Sequence, residues 1–185
     1  MQNFDFCSPT ELVFGRGVET EIGTRLARRF PGGKVFLVYG GGSIKRTGLY
    51  DRVKQSLLDA GLSVREKGGV HPNPEVGFIR ELIAEAREWR PDVLLAVGGG
   101  SVIDTVKAAS MGIPYDGDVW DFFIGRAVCE KATPISVILT IPAAGSELSM
   151  RVVVTNGEKK LGTASQHIRS FMSLIDPEPV SYTHL

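Results

Sequence analysis

The stretch from Asp92 to Ser110 constrains this chain more than any other. It reads Asp-Val-Leu-Leu-Ala-Val, then Gly98-Gly99-Gly100-Ser101, then Val-Ile-Asp104-Thr-Val-Lys107-Ala-Ala-Ser. A run of mostly apolar, β-favouring residues ends abruptly in three glycines, and Ser101 follows where a helix N-cap is expected. The pattern is strand, glycine turn, helix. Three glycines strip every Cβ from the turn, so a ligand can come close to the backbone, and the first N–H groups of the helix point at it. Those N–H groups and the positive end of the helix dipole suit a phosphate. Tight strand-to-helix turns also use glycine for packing, so the turn alone leaves both uses open.

The rest of the chain repeats the alternation. Residues 4–14, with Phe4, Phe6 and then Leu12 to Phe14, suggest an edge strand ending at Gly15-Arg16-Gly17. Ile22, Leu26 and Phe30 recur every four residues and predict a helix over 19–30, stopped by Pro31-Gly32-Gly33. Lys34 to Tyr39 is a continuous apolar run of the kind a doubly covered parallel strand shows. It too ends in glycine and serine, Gly40-Gly41-Gly42-Ser43, and a loop over 43–48 leads to a helix over 49–60. A short strand over 62–66, a loop through His71-Pro72-Asn73-Pro74 and an amphipathic helix over 75–89 come before the opening stretch. The order β-α-β-α-β-α is the signature of a parallel sheet with helices on both faces.

Beyond Gly112 the periodicity breaks into an aromatic-rich segment, read as a loop with a helical turn near Trp120 to Phe123. Pro134 to Ile141 is a further buried strand, Arg151–Thr155 and Lys160–Ala164 form a hairpin around Asn156-Gly157, and Phe171 to Ile175 is a last strand closed by Asp176-Pro177.

The 185 residues are 43% hydrophobic, enough for a substantial core, and 21 basic side chains balance 21 acidic ones. That balance speaks against a nucleic-acid partner and against a basic membrane-surface protein. Two cysteines, Cys7 and Cys129, make no disulfide scaffold or metal spacing. With no secretory leader and no run of about 18 apolar residues, the expectation is a soluble, cytoplasmic protein with no membrane partner.

Two parallel strands that each end in Gly-Gly-Gly-Ser place both turns at the carboxyl edge of one sheet, where open α/β sheets bind ligands. Neither turn spells Gly-x-Gly-x-x-Gly. The loop after Tyr39 lacks a carboxylate for a ribose 2′-hydroxyl and offers Ser43, Lys45 and Arg46 instead. If it meets the adenosine ribose, those cations favour a 2′-phosphate, hence NADP(H) over NAD(H). A third strand-end loop, Thr140-Ile-Pro-Ala-Ala-Gly145-Ser146-Glu147, could line the same pocket or only turn the chain. His71, His167 and His184 are isolated, and no cysteine has a partner base, so neither a metal centre nor a thiol nucleophile is indicated. Asp104 and Lys107 share a helix face and could pair with each other or reach a ligand.

At this point four motifs, in order, resemble one family. Gly98-Gly-Gly-Ser-Val-Ile-Asp104-Thr-Val-Lys107 is similar to the Gly-Gly-Gly-Ser-x-x-Asp-x-x-Lys signature of the iron-containing, group III alcohol dehydrogenases. Gly41-Gly-Ser-Ile-Lys45-Arg46-Thr-Gly48, Val70-His-Pro-Asn73-Pro74 and Leu139-Thr-Ile-Pro-Ala-Ala-Gly145-Ser-Glu147 resemble its other N-terminal motifs, closest to the butanol dehydrogenase branch with its NADPH-dependent aldehyde reductases. The resemblance implies an α/β fold of the dehydroquinate-synthase-like type, a parallel-sheet nucleotide-binding domain normally followed by a helical metal domain. It implies that Gly98, Gly99, Gly100 and Ser101 hold a pyrophosphate, that Gly41, Gly42 and Ser43 with Lys45 sit by the adenosine ribose, and that Thr140, Ser146 and Lys160 lie along the cofactor. Asp104 would lie on the nicotinamide and substrate side. Hydride would pass between the nicotinamide and a primary alcohol or aldehyde, with a divalent iron or zinc polarising the oxygen, in a full-length homodimer.

The family's metal ligands, one Asp and three His, lie beyond the Asp-Pro turn matched here by Asp176-Pro177. The expectation is therefore a nucleotide-binding domain over 1–178, a truncated or non-native tail over 179–185, no metal ligand in this chain and no activity from it alone. Related readings are a polyol dehydrogenase, a dehydroquinate synthase relative, or a nucleotide-binding module without chemistry.

Overall fold

The computed structural model describes residues 8–178. The start of the first expected strand, Cys7, His184 and the 179–185 tail lie outside the described residues.

The chain forms β1 (Glu11–Phe14), α1 (Ile22–Arg29), β2 (Lys34–Gly40), α2 (Ser43–Arg46), α3 (Leu49–Asp59), β3 (Ser63–Val70), α4 (Val76–Trp89), β4 (Val93–Gly98), α5 (Gly100–Gly112), β5 (Ile135–Leu139), β6 (Arg151–Asn156), β7 (Lys159–Ala164) and β8 (Met172–Ile175). Six strands make one parallel sheet in the order β1-β8-β5-β4-β2-β3, and β6 and β7 form a separate antiparallel hairpin.

Alternation along the strands divides the core into two layers. Phe36, Val38, Leu94, Ala96, Ile135 and Val137 face one side and pack with buried residues of α4 and α5 and with Val152 and Val154 of β6. Val35, Leu37, Val93, Leu95, Met172 and Leu174 face the other and pack with α1 and α3. Because both faces are covered, every residue of β4 is buried, which is what its unbroken apolar sequence requires. The close approach of α1 to α3 depends on Gly23, where a Cβ would stand 1.8 Å from the Ser56 carbonyl oxygen.

Several local expectations shift. The predicted helix over 19–30 divides into a 3₁₀ turn at Val18–Glu21 and α1. Residues 43–46, expected as loop, make the short α2. The strand expected over 62–66 runs on to Val70 because Gly68 lets the Tyr39 ring lie against it; a Cβ there would come 2.4 Å from Tyr39 Cε2. Ser101 is not the N-cap of α5: Gly99 takes that place without a side-chain cap, and Ser101 lies in the first turn. The hairpin turn is centred on Gly157-Glu158 rather than Asn156-Gly157, since Asn156 pairs with Lys159 and Gly157 takes φ 60° at the first central position, where a II′ turn needs glycine. Among the described residues no helix is long and apolar enough to cross a membrane.

Candidate functional site

Register brings the three strand-end loops together. Tyr39 of β2 pairs with Val97 of β4, and Gly98 pairs with Leu139 of β5, so β2, β4 and β5 finish side by side. The Thr140 N–H then donates to the Gly98 carbonyl at 3.1 Å, tying the third loop to the second. Between them opens a groove of about 350 Å³ lined by Gly40, Gly41, Ser43, Gly98–Ser101 and Thr140, with Ile44, His71, Ile141 and Ala143 along its walls.

The glycines serve two different purposes. A Cβ on Gly98 would meet the Val102 side chain at 2.6 Å, so this glycine is required for packing. At Gly99 the only heavy atom within 4 Å of a Cβ would be Ile141 Cβ at 3.8 Å, and at Gly100 it would be Ser146 Oγ at 3.6 Å. Neither position is filled by protein, so their missing side chains leave space in the groove. Gly41 has nothing within 4 Å, and Gly42 stands at φ 112°, a conformation that side chains resist. The carbonyl of Gly99 accepts from the N–H groups of Val102 and Ile103 at 3.0 and 3.2 Å, while the N–H groups of Gly100 and Ser101 belong to the first turn, which has no intrahelical acceptor.

The second half of the candidate set gathers where α5 meets the hairpin. Asp104 Oδ2 accepts from the Val153 N–H at 3.1 Å, and Oδ1 is buried without a hydrogen-bond partner. Burial pushes the Asp104 carboxyl up from its ordinary value; the Val153 N–H, the Lys107 charge, the Ser146 hydroxyl and the Lys160 charge act the other way. Lys160 donates to Asn73 Oδ1 at 2.8 Å and links the hairpin to the His-Pro-Asn-Pro loop, beside the Thr155 N–H bond to the Pro74 carbonyl at 2.8 Å. Asp104 and Lys107 do not simply pair. The Lys107 ammonium is fully buried among the carbonyls of Ser146, Ser149 and Arg151.

Lys45 is not brought into the groove. Its ammonium lies 5.1 Å from the Tyr39 ring centroid and 4.8 Å from that of Tyr50, on aromatic faces that attract a cation. His71 does line the groove, which its isolation in sequence did not indicate; the Val70-His-Pro-Asn73-Pro74 motif that contains it was the available signal. Another concavity of about 350 Å³, walled by Met111, Tyr115, Phe122 and Arg126, contains none of the predicted residues. Among the described residues no cluster of three or more His, Cys, Asp or Glu could hold a metal, so the divalent metal that the resemblance implies has no fitting ligand set on them.

Residues 9–177 match the family model described as iron-containing alcohol dehydrogenase. The chain is 46% identical over 180 residues to "Probable NADH-dependent butanol dehydrogenase 1" of Bacillus subtilis (strain 168), covering 96% of this chain and 46% of that protein. It is 35% identical over 183 residues to the "NADPH-dependent aldehyde reductase YqhD" of Escherichia coli (strain K12), again covering 96% of this chain and 46% of the relative. The crystal structure of NADH-dependent butanol dehydrogenase A from Thermotoga maritima superposes with a TM-score of 0.94 at 42% identity, covering all of this chain and 46% of that one. The chain thus spans about half the length of the curated relatives it matches.

These relatives overturn the expected preference for NADP(H) over NAD(H). The two more similar proteins are named as NADH-dependent, and the NADPH-dependent reductase is more distant. Of the two cations behind the 2′-phosphate argument, Lys45 has its ammonium over the Tyr39 and Tyr50 rings, and neither Lys45 nor Arg46 lines the groove.

Proposed function

We propose, for a chain that belongs to the iron-containing alcohol dehydrogenase family, that the glycine-lined groove is the NADH site of an oxidoreductase acting on a primary alcohol or aldehyde. The observation that carries this reading is the open space at Gly99 and Gly100, beside a first helical turn whose N–H groups face the groove. A packing turn would need only Gly98.

In this reading the backbone of Gly98–Ser101 holds the pyrophosphate, and Gly41, Gly42 and Ser43 border the adenosine ribose. Thr140 and Ser146 lie along the cofactor. Asp104 and Lys160 stand toward the nicotinamide, with one Asp104 carboxylate oxygen held by the Val153 N–H and Lys160 held by Asn73. The nicotinamide, when bound, supplies hydride to a carbonyl carbon or takes it from an alcohol. This chain's residues bind and orient it, with three loops pinning one dinucleotide across the ends of three adjacent strands. Among the described residues no cluster could hold the family's metal, and the 185 residues alone are expected to give no turnover of butyraldehyde with NADH.

Fluorescence titration with NADH, and calorimetric titration with ADP-ribose, test the site. Saturable binding of both is expected, with NADPH no tighter than NADH. Absence of saturable binding of either ligand at millimolar concentration would remove the reading. Metal-dependent turnover by this chain would remove the expectation of inactivity and leave the site in place.

A further inference from the structure

Lys107 is the one lysine in the described residues with no exposure at all. Its ammonium has three protons and four acceptors around it: the carbonyls of Ser146 at 2.6 Å, Ser149 at 2.8 Å and Arg151 at 3.0 Å, and Ser149 Oγ at 3.3 Å. All four belong to one short stretch, Ser146–Arg151, which leads from the third strand-end loop into β6. One turn earlier on the same helix, Asp104 accepts from Val153, two residues further along that strand. Helix α5 therefore grips the entry to the hairpin twice, with a cation at one point and a carboxylate at the other. Desolvating an ammonium is costly, and bonds to a charged donor are about twice as strong as neutral ones, so the stretch is held far more firmly than a loop of its composition would hold itself.

We propose that Lys107 is a positioning residue for the nicotinamide half of the groove: it touches no cofactor atom, but fixes Ser146–Arg151 and, through β6, the orientation of Asp104. The proposal rests on the reading of the groove as an NADH site. The adenosine half, built from Gly41–Ser43 at the end of β2, is set independently of it.

The charged groups that face Lys107 are Asp104 on α5, Glu147 in the loop before β6, and Arg169 in the segment before β8. Burial pushes the Lys107 pKa down to about 8, with Asp104 and Glu147 raising it and Arg169 lowering it further. Above that pH a neutral amine offers two protons to the same four acceptors, and the grip loosens.

The test compares NADH with ADP-ribose, which lacks the nicotinamide, on the whole 185-residue chain and its Lys107→Met variant. The variant is expected to bind ADP-ribose within about twofold of the parent and NADH about tenfold or more weakly. Equal losses for both ligands, or no loss for either, would overturn the proposal. Should Lys107→Met fail to fold, the unmodified chain carries the test. Its ratio of NADH to ADP-ribose affinity should fall about threefold or more between roughly pH 7 and 9.5, and Glu147→Gln should move the midpoint to lower pH. A ratio flat with pH would overturn the proposal as well. If the unmodified chain binds neither ligand, the NADH reading falls and this proposal falls with it; if it binds both and the ratio never moves, only the role of Lys107 falls.

Discussion

Replacing Gly99 by alanine should stabilise the fold while it damages the site. The residue lies at φ −88° and ψ −170°, extended backbone open to any side chain, and the new methyl would find only Ile141 Cβ within 4 Å. A glycine-to-alanine change at a compatible position gains about 0.4–1 kcal/mol by restricting the unfolded chain. Unfolding entropy of about 2.1 cal/mol/K per residue converts that gain, for a chain of 185 residues, into a Tm rise of about 1–3 °C. The same methyl projects toward the opposite wall of the groove and keeps a phosphate from the N–H groups of the first turn. Losing one charge-assisted hydrogen bond, about 1.5–3 kcal/mol, weakens NADH about 10- to 150-fold. Gly98→Ala should do the reverse to stability. Its methyl would meet Val102 at 2.6 Å, and the overpacking cost of about 1–3 kcal/mol lowers Tm by about 3–8 °C. Calorimetric melting and NADH titration of the two variants give the comparison. A Gly99→Ala protein that melts lower than the parent, or binds NADH unchanged, would refute the division of the turn into a packing glycine and two ligand-facing ones.

Three further outcomes follow from the same contacts. Lys107 binds its proton less tightly in the folded chain, near pH 8, than in the unfolded one, near 10.5, so between those values the unfolded state holds more protons and stability rises with pH. In urea melts the parent should therefore gain about 3 kcal/mol relative to Lys107→Met from pH 8 to 10.5, and a constant difference would contradict the burial of the charge. Lys160→Met removes a solvent-exposed bond to Asn73, so NADH affinity should drop about 3- to 10-fold with a Tm change under about 2 °C; a large fall in Tm with intact binding would make Lys160 purely structural. Gly23→Ala would drive a methyl into the Ser56 carbonyl and should cost more than about 3 kcal/mol, and a near-neutral melt would mean that α1 and α3 separate easily.

Sequence patterning was most informative where a residue's reason for being present is local. The glycines at 41, 42 and 98–100 announce themselves as runs at the ends of apolar strands, although only Gly42 by its backbone and Gly98 by its surroundings exclude a side chain, and the apolar run of β4 is legible because a strand covered on both faces has no polar side to show. What stayed hidden depends on distant partners. Lys107 follows Asp104 by three residues and resembles half of a helical ion pair, yet its acceptors are carbonyls some forty residues away. Lys45 resembles a phosphate ligand until the fold brings Tyr50 beside Tyr39 and supplies a better place for its charge. Ser101 has the residue type of an N-cap, but the helix begins one residue before it because Gly99 already adopts the extended conformation that a cap needs. The strand order was equally unreadable, since nothing in the sequence of β8 says that it separates β5 from β1.

That last position has a consequence for the chain as it is made. Among the described strands β1 is made first, and its sheet neighbour is β8, with Glu11 opposite Met172 and Phe14 opposite Ile175. The outermost strand must therefore wait, unpaired, while some 160 residues are synthesised, and β2, β4 and β5 can assemble long before it finds a place. Leu12 and Phe14, still half or more exposed in the finished sheet, spend that interval as a sticky, unprotected edge. The residues that line the glycine groove, which end at Ala143, have all been made by the time β5 and its loop emerge, before β1 has anything to pair with.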